Sequence, residues 1–284
     1  MSSGLWRVEY GDGIGLARGP ADSGPVELLD PGLTVGAFLD GSGPSLADLP
    51  DLPAVGPVPE RYHVLVPLDR QPVWAAGVTF ERSRAARKEE SAAGGDVYDQ
   101  VYEAERPELF VKAMPGAARG TGEPVAVRAD SAWNVPEPEL VLVCDHAGRI
   151  AGYALGNDMS SRSIEGENPL YLPQAKVYVD SCALGPCLVP AGAAPELSGI
   201  TIGLDIVREG VSVYADAVPV AKIRRTPAEL AAWLFRAQRF PAGVALLTGT
   251  SIVPDPDFTL RPGDQVTITA TGLGVLTNPV YEVS

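Results

Sequence analysis

Glu137, Glu139 and Asp158 are the side chains whose types and spacing most directly suggest chemistry. One residue separates the two glutamates, and Asp158 closes the next apolar segment. Because residues i and i+2 of a strand point to the same face, about 7 Å apart, both glutamates can approach a single ion. Three carboxylates without Cys or His suit Mg²⁺, Mn²⁺ or Ca²⁺ better than Zn²⁺. The spacing alone also fits a solvent-exposed acidic face on an ordinary hairpin, so both interpretations stay open.

A predicted β-hairpin brings the third carboxylate to the first two. The strand that carries the glutamates meets the turn-forming residues Asp145–Gly148, and a second strand-like run follows over residues 149–156. Symmetric pairing about this turn places Glu139 opposite Ala154. It also keeps Asp158 on the same face, at the open end of the hairpin, whereas a slip of one residue would turn Asp158 away.

Two cations and a further carboxylate follow. A short helix after Asp158 would place Asp158, Arg162 and Glu165 on one face at i, i+4 and i+7. Arginine can hold a substrate carboxylate through two hydrogen bonds, although an Asp–Arg pair can also be a surface ion pair of little value. Lys176 lies in an otherwise apolar segment, where its ammonium group either finds an anionic partner or extends to solvent. Arg162 and Lys176 are therefore candidates for contact with an anionic substrate.

The composition excludes several classes of function. The chain of 284 residues has a net charge of −14 and no long run of Lys or Arg, so nucleic acid is not an expected partner. Neither a leader peptide nor an apolar stretch of bilayer length is evident, so we expect a soluble cytoplasmic protein without membrane contact. The two histidines, His63 and His146, are poorly placed for a general base. Glycine-rich nucleotide-binding motifs are missing as well.

We expect two parts of unequal size. Residues 1–70 contain many Gly and Pro and predict a small β-rich N-terminal domain with a Pro-rich connector. Residues 71–284 predict a catalytic domain that binds the metal. Alternation of apolar residues indicates that the chain is mainly β with a few helices, an α+β organisation.

Three further helices are predicted. The charged stretch 80–91 favours a helix but has almost no apolar stripe, so it suits a lid, with residues 92–95 as its hinge. A shorter helix is expected over residues 98–105. A third helix is expected over residues 228–239. The run Thr226, Pro227, Ala228, Glu229 predicts its start, with Thr226 as the N-cap. We expect Trp233 and Phe235 on its buried side.

Several segments together resemble the fumarylacetoacetate hydrolase superfamily over residues 74–280. These segments are Arg106–Lys112, the Glu137/Glu139 pair with Pro138 and Leu140, Gly152–Arg162, Lys176, Gly185–Pro186, Thr248–Thr250 and Pro262–Asp264. The resemblance implies a mixed β-roll catalytic domain that assembles as a homodimer or homotetramer. It implies Mg²⁺ or Mn²⁺, with Ca²⁺ as a substitute, bound by Glu137, Glu139 and Asp158. It also implies that Arg162, Lys176 and Thr250 contact the substrate.

One departure from the family bears on the reaction. Family hydrolases and decarboxylases usually carry a histidine after the strand 74–80 that helps to activate water, whereas Ser83 takes that position here, followed by Arg84. A serine cannot replace imidazole as a base near neutral pH. Hydrolysis of a carbon–carbon bond is therefore not the expected reaction, and we predict that Ser83 and Arg84 contact the substrate.

The segment Ser160–Lys176 is similar to a branch of the family that dehydrates 2-keto-3-deoxy sugar acids such as 2-keto-3-deoxy-D-arabinonate. This reaction needs no histidine: the 2-keto acid chelates the ion, the C3 proton becomes removable, and the metal-stabilised enolate expels the C4 hydroxyl. We predict Glu165 as the proton carrier, Lys176 as a stabiliser of the enolate or carboxylate, and Arg162 as the substrate anchor. The alternatives are a hydrolase, decarboxylase or tautomerase of another 2-keto or 1,3-dicarbonyl acid, and a non-catalytic metabolite-binding scaffold.

Overall fold

The computed structural model describes residues 2–80 and 95–284, and most of its regular elements are strands, as predicted. The strands are β1 (Ser3–Tyr10), β2 (Gly13–Pro20), β3 (Glu27–Leu28), β4 (Gly56–Pro57), β5 (His63–Leu65), β6 (Val73–Gly77), β7 (Glu108–Ala113), β8 (Val125–Arg128), β9 (Asn134–Val135), β10 (Pro138–Cys144), β11 (Ile150–Asp158), β12 (Ser160–Ser161), β13 (Cys182–Pro190), β14 (Thr201–Arg208), β15 (Val211–Pro219), β16 (Val244–Leu247), β17 (Gln265–Ala270) and β18 (Gly274–Val283).

The helices are short. They are α1 (Val35–Leu39), α2 (Gly95–Glu103), α3 (Arg162–Glu167), α4 (Leu172–Lys176) and α5 (Pro227–Phe235), with 3-10 turns at Leu46–Asp51, Pro169–Tyr171, Leu197–Gly199 and Val220–Lys222. Within the described ranges, every helix is too short or too polar to cross a bilayer.

Two large sheets form the scaffold. The first has eleven strands in the order β4-β3-β2-β1-β13-β11-β10-β16-β6-β7, with β5 also paired to β1. The second has five strands in the order β15-β14-β17-β18-β8, and β9 pairs separately with β12. Most pairs are antiparallel, whereas β16 with β6 and β18 with β8 are parallel. The hairpin β10–β11 therefore lies in the interior of the first sheet.

Strand β10 is buried on both faces. Leu140, Leu142 and Cys144 belong to one apolar cluster, whereas Val141 and Val143 belong to the other. Because successive side chains of a strand alternate between faces, a strand between two cores is a continuous apolar run. This burial fixes the end of the strand that carries the two glutamates.

The register of the hairpin differs from the prediction by two residues. Glu139 pairs with Gly156, and Ala154 pairs instead with Val141. The symmetric pairing was wrong for two reasons: beside the turn Cys144 pairs with Ile150 and not with Arg149, and an irregularity at Val143/Cys144 then leaves one further residue in β11. A shift of two residues preserves the side-chain parity, so Glu139 and Asp158 still face the same way.

Helix α5 begins as the sequence predicts. Thr226 is the N-cap, its side chain accepts a hydrogen bond from the Glu229 N–H at 3.2 Å, and Pro227 is the first helical residue. The helix ends at Phe235 and not at residue 239. The chain after the helix turns and buries Phe240. Pro241 follows, and a proline disfavours the helical conformation in the residue before it.

The predicted buried side of this helix was wrong in part. Trp233 and Phe235 are only half buried. The Trp233 ring is covered by the guanidinium groups of Arg106 and Arg236, at 4.7 and 4.5 Å from the ring centroid. The fully buried residues of the helix are Leu230, Ala231 and Leu234.

The other two helical predictions fall partly on undescribed residues. Of the predicted lid and hinge, residues 80–91 and 92–95, only Phe80, which is buried, and Gly95 lie within the described ranges. Gly95 is the first residue of α2. This helix begins three residues earlier and ends two residues earlier than the prediction of 98–105.

The N-terminal strands continue the first sheet. Leu5 of β1 pairs with Leu188 of β13, and Phe38 of α1 shares an apolar cluster with Val141 and Leu247. Residues on both sides of position 70 therefore contribute to one sheet and one apolar cluster. The division into domains at this position stays a prediction.

Candidate metal centre

The three predicted carboxylates meet where β10 begins and β11 ends. One oxygen from each of Glu137, Glu139 and Asp158 lies within 4.8 Å of the others. The backbone N–H of Asp158 donates to the carbonyl oxygen of Glu137 at 2.9 Å, so these two residues lie opposite each other. The exposed fractions of the three residues are 4 %, 1 % and 2 %. A solvated acidic face, the alternative interpretation of the spacing, does not fit this burial.

Three cationic side chains surround the carboxylates. Lys176 Nζ lies 2.8 Å from Glu137 Oε2 and 3.2 Å from Asp158 Oδ2, between the two. Lys112 Nζ lies 2.5 Å from Asp158 Oδ1, and Arg162 Nη2 donates to Glu137 Oε1 at 2.9 Å. With all six groups ionised, the three carboxylates and three cations leave the cluster without net charge.

The electrostatics of the cluster fit a divalent cation. Burial raises the pKa of Glu139 well above its usual value, and the charges of Asp158 and Glu137 raise it further. Lys176 and the Gly249 N–H act in the opposite direction. A hard cation among three carboxylate oxygens would relieve this repulsion, and oxygen ligands are those that Mg²⁺ and Ca²⁺ prefer.

Lys112 is a site residue to which sequence analysis assigned no role. Burial lowers its pKa, whereas the Asp158 carboxylate raises it. The ammonium group also donates to the carbonyl oxygens of Met159 at 2.8 Å and Lys176 at 2.5 Å. The sequence feature that could have identified Lys112 is the one used for Lys176: a lone lysine in an apolar segment needs an anionic partner.

Glu108 is a second residue that sequence analysis missed. Glu108 and Phe110 are alternate residues of β7 and therefore share a face. The Glu108 carboxylate covers Gly77 of β6, where an added Cβ would collide with it. Gly77 and Phe110 both line the cavity that contains the carboxylate cluster. Glu108 is not among the described residues that line the cavity, but its carboxylate lies against Gly77, which does line it.

The helix after Asp158 begins later than predicted. Asp158 still belongs to β11, the short strand β12 follows and pairs with β9, and α3 begins only at Arg162. The proposed helical alignment of Asp158 with Arg162 and Glu165 was therefore wrong. Arg162 nevertheless reaches the carboxylate cluster. Glu165 is buried and accepts a hydrogen bond from Ser160 Oγ at 3.1 Å, but it is not among the described residues that line the cavity.

The remaining wall of the cavity includes Thr250 and Val78. Thr250 is buried, and its Oγ1 accepts a hydrogen bond from the Ile252 N–H at 3.1 Å. Val78 has a φ of 53°, in the left-handed region that β-branched residues rarely adopt. Strained backbone of this kind is concentrated at functional sites. Ser83 and Arg84, the other predicted substrate contacts, lie outside the described residues.

The chain is similar to known proteins over most of its length. The family model described as "Fumarylacetoacetate (FAA) hydrolase C-terminal" matches residues 77–281. A probable 2-keto-3-deoxyxylonate dehydratase of Haloferax volcanii is 47% identical over 221 residues, which cover 78% of this chain and 76% of the relative. A 2-dehydro-3-deoxy-D-arabinonate dehydratase of Saccharolobus solfataricus is 43% identical over 217 residues, which cover 75% and 73%.

A solved structure extends the similarity to nearly the whole length. It is a 2-keto-3-deoxy-D-arabinonate dehydratase complexed with magnesium and 2,5-dioxopentanoate. The TM-score is 0.84 at 34% sequence identity, and the match covers 98% of this chain and 99% of that chain.

Proposed function

The chain belongs to the fumarylacetoacetate hydrolase family, and we propose that it is a metal-dependent dehydratase that removes water from a 2-keto-3-deoxy sugar acid. Two curated relatives that match about three quarters of the chain are named as dehydratases of such acids. The substrate to test first is 2-keto-3-deoxy-D-arabinonate, because the solved relative carries its name. Loss of water from this acid gives 2,5-dioxopentanoate.

The observation that carries the proposal is the charge balance of the buried cluster. Its three carboxylates and three cations cancel, so with a divalent cation bound the cluster would carry two positive charges. A 2-keto acid brings one negative charge in its carboxylate, and a second develops on the keto oxygen when the C3 proton leaves. Apart from the carboxylate that accepts the proton, the cluster and its ion therefore match the charge of the enolate better than that of the substrate. Such a preference lowers the barrier to proton removal.

Mg²⁺ is the proposed ion, held by Glu137, Glu139 and Asp158, and Mn²⁺ or Ca²⁺ are the candidate substitutes. The all-carboxylate donor set supports a hard cation, and the solved relative contains magnesium. When bound, the ion would supply Lewis acidity that makes the C3 proton of a 2-keto acid removable.

Three side chains of the same cavity are proposed to bind the substrate. Arg162, Lys176 and Thr250 all line the cavity with the carboxylates. Arg162 would anchor the substrate carboxylate, since its guanidinium group is oriented by Glu137. Lys176 would stabilise the developing charge on the keto oxygen, and the Thr250 hydroxyl would contact the carboxylate.

Dehydration needs a group that removes the C3 proton and a group that protonates the departing C4 hydroxyl. The resulting 5-hydroxy-2-oxo-3-ene then becomes 2,5-dioxopentanoate by loss of a C5 proton, protonation at C3 and tautomerisation of the resulting enol. Glu165 is the proton carrier that the sequence predicts, and its burial on α3 beside Ser160 keeps it close to the end of β11. Glu108 is the second candidate because its carboxylate lies against Gly77, a residue that lines the cavity. The two glutamates could divide the two proton transfers between them.

The reaction is tested with purified protein, Mg²⁺ and a panel of keto acids. With 2-keto-3-deoxy-D-arabinonate we expect a product lighter by one water, identified as 2,5-dioxopentanoate by NMR, and no turnover when a chelator removes the metal. Loss of CO₂ or release of an acid instead would assign a decarboxylase or hydrolase. Binding without turnover across the whole panel would indicate a non-catalytic scaffold.

The proton carriers are tested by Glu165→Gln and Glu108→Gln. In D₂O, exchange at C3 of 2-oxobutyrate, which lacks the C4 hydroxyl, reports proton removal alone. The variant that removes the base should lose both exchange and dehydration, by about 10²- to 10⁴-fold, whereas loss of the acid should spare exchange. Glu60→Gln, at an exposed position, serves as the control. Unchanged dehydration in Glu165→Gln with Mg²⁺ bound would exclude it as the proton carrier.

Assembly and location belong to the same proposal. A homodimer or homotetramer and a cytoplasmic location are what the family resemblance and the sequence lead us to expect. Size-exclusion chromatography coupled to light scattering would measure the number of subunits directly, and a monomer would contradict the expected assembly.

A further inference from the structure

The peptide group that joins Thr248 to Gly249 is held at both ends. Its N–H, from Gly249, donates to Glu139 Oε2 at 2.5 Å. Its carbonyl oxygen, from Thr248, accepts a hydrogen bond from Thr79 Oγ1 at 2.7 Å. A single peptide plane therefore connects the Thr79 hydroxyl to a carboxylate of the candidate metal centre.

Thr79 and Gly249 are fitted closely to each other. Gly249 has a φ of +90°, a conformation that favours glycine, and an added Cβ at this position would collide with Thr79 Oγ1. The exposed fraction of Thr79 is 1%. The hydroxyl therefore occupies the space that a side chain at position 249 would need, in a place where bulk water cannot take over its hydrogen bond.

The turn does not depend on Thr79 for its attachment to the sheet. The backbone N–H and the hydroxyl of Thr248 both donate to the carbonyl oxygen of Leu140, at 3.1 and 2.9 Å. These two bonds attach Thr248, and with it the turn, to β10. Thr79 instead bonds to the next peptide group, the one whose N–H points to Glu139.

We propose that Thr79 is a positioning residue for the metal centre: its hydroxyl orients the peptide between Thr248 and Gly249 so that the Gly249 N–H holds Glu139. A hydrogen bond to a peptide oxygen also polarises the group and strengthens its N–H as a donor. Outer partners of this kind orient metal ligands and raise metal affinity. The inference rests on the proposed role of Glu139 as a ligand.

The test compares Thr79→Val, which keeps the shape of the side chain and removes the donor, with Thr79→Ser, which keeps the donor. Titration calorimetry with Mg²⁺ alone, without substrate, gives the Kd, and thermal unfolding gives the Tm. We expect Thr79→Val to weaken Mg²⁺ binding by about 10- to 100-fold and Thr79→Ser to stay close to the unchanged protein. Thr267→Val, which removes a half-buried hydroxyl from the second sheet, should leave the Kd unchanged.

The outcomes separate this inference from the proposed function. An unchanged Kd in Thr79→Val overturns the positioning role even if the Tm falls, because a purely structural hydroxyl would affect stability alone. Equal losses in Thr79→Val and Thr79→Ser overturn it as well. Failure of the unchanged protein to bind Mg²⁺ would instead overturn the metal centre itself. Thr79→Ala provides the same comparison if Thr79→Val does not fold.

Discussion

At the scale of single residues, the buried charges of the site are explained by one another. An unpaired charge in a protein interior is costly, and Lys112, Arg162 and Lys176 each lie against a carboxylate. Lys176 has a special position because it lies between Glu137 and Asp158. Its ammonium group would therefore compete with a bound metal for the same oxygens.

We expect Lys176→Met to bind Mg²⁺ more tightly, on the order of tenfold, while losing dehydratase activity. Removal of one positive charge at contact distance favours any cation at the cluster, and the developing charge on the substrate loses its stabiliser. Titration calorimetry measures the Kd, with the exposed Lys222→Met as the control. Equal or weaker Mg²⁺ binding in Lys176→Met would show that the lysine does not compete with the ion.

Metal binding should weaken as the pH falls. Because burial and the neighbouring carboxylates raise the pKa of Glu139 above its usual 4.5, below that raised pKa a proton occupies an oxygen that the metal needs. The Kd should rise by up to about tenfold per pH unit in this window and level off above it. Calorimetry in buffers of different ionisation enthalpy counts the protons released. A Kd that stays constant down to pH 4.5 would contradict the raised pKa.

The same group has the opposite effect on the stability of the metal-free protein. A carboxyl whose pKa is higher in the folded state than in the unfolded state favours folding at low pH, and this contribution is lost as the pH rises through the raised pKa. A bound cation should restore it.

At the scale of elements, the hairpin β10–β11 sets the geometry of the site. Its two-residue difference from the expected register changed the partner of Glu139 to Gly156 but left the facing of the carboxylates unchanged. Gly156 is packed closely, since an added Cβ would overlap with Leu247 and Val141. The side chains of Leu247 and Val141 can pack against the backbone here only because position 156 has no side chain.

We expect Gly156→Ala to lower the free energy of unfolding by about 1–3 kcal/mol, because overpacking forces neighbouring side chains to move. Gly192→Ala is the matched control: an added Cβ there meets no atom within 4 Å, so its effect should be near zero or slightly stabilising. Urea unfolding of the two variants makes the comparison. Equal stabilities would mean that the core beneath Glu139 adapts without cost.

At the scale of the whole molecule, the N-terminal strands and the strands of the site belong to one sheet. Leu5 pairs with Leu188 across the domain boundary predicted at position 70. Phe38, Val141 and Leu247, which also lie on both sides of that position, share an apolar cluster. Shared apolar contacts of this kind couple the unfolding of the parts they join. The coupling also determines how far the effect of a bound ion should extend.

We expect one cooperative thermal transition that includes residues 2–70, with equal calorimetric and van't Hoff enthalpies. Saturating Mg²⁺ should move the whole transition to higher temperature, because an ion that binds only the folded state stabilises it, by about 2.7 kcal/mol at 100 times the Kd. Glu139→Gln should abolish this shift. Two transitions, of which Mg²⁺ moves only one, would contradict the coupling and support independent domains.

The sequence by itself was sufficient for features that depend on near neighbours. The spacing of Glu137 and Glu139, the parity that brings Asp158 to them and the N-cap at Thr226 are all set within a few residues or by simple alternation. Alternation has a period of two, so the facing of the carboxylates survived a register shift of two residues that changed the pairing partners.

Only the tertiary structure decided which distant groups meet. Lys112 contacts Asp158, and Thr79 bonds to Thr248 across 169 residues of sequence. Glu108 lies against Gly77 of the cavity wall because β7 pairs with β6. These contacts arise from the order of strands in the sheet, which depends on the packing of all of them together. No local pattern therefore encodes the partners of Lys112, Glu108 or Thr79.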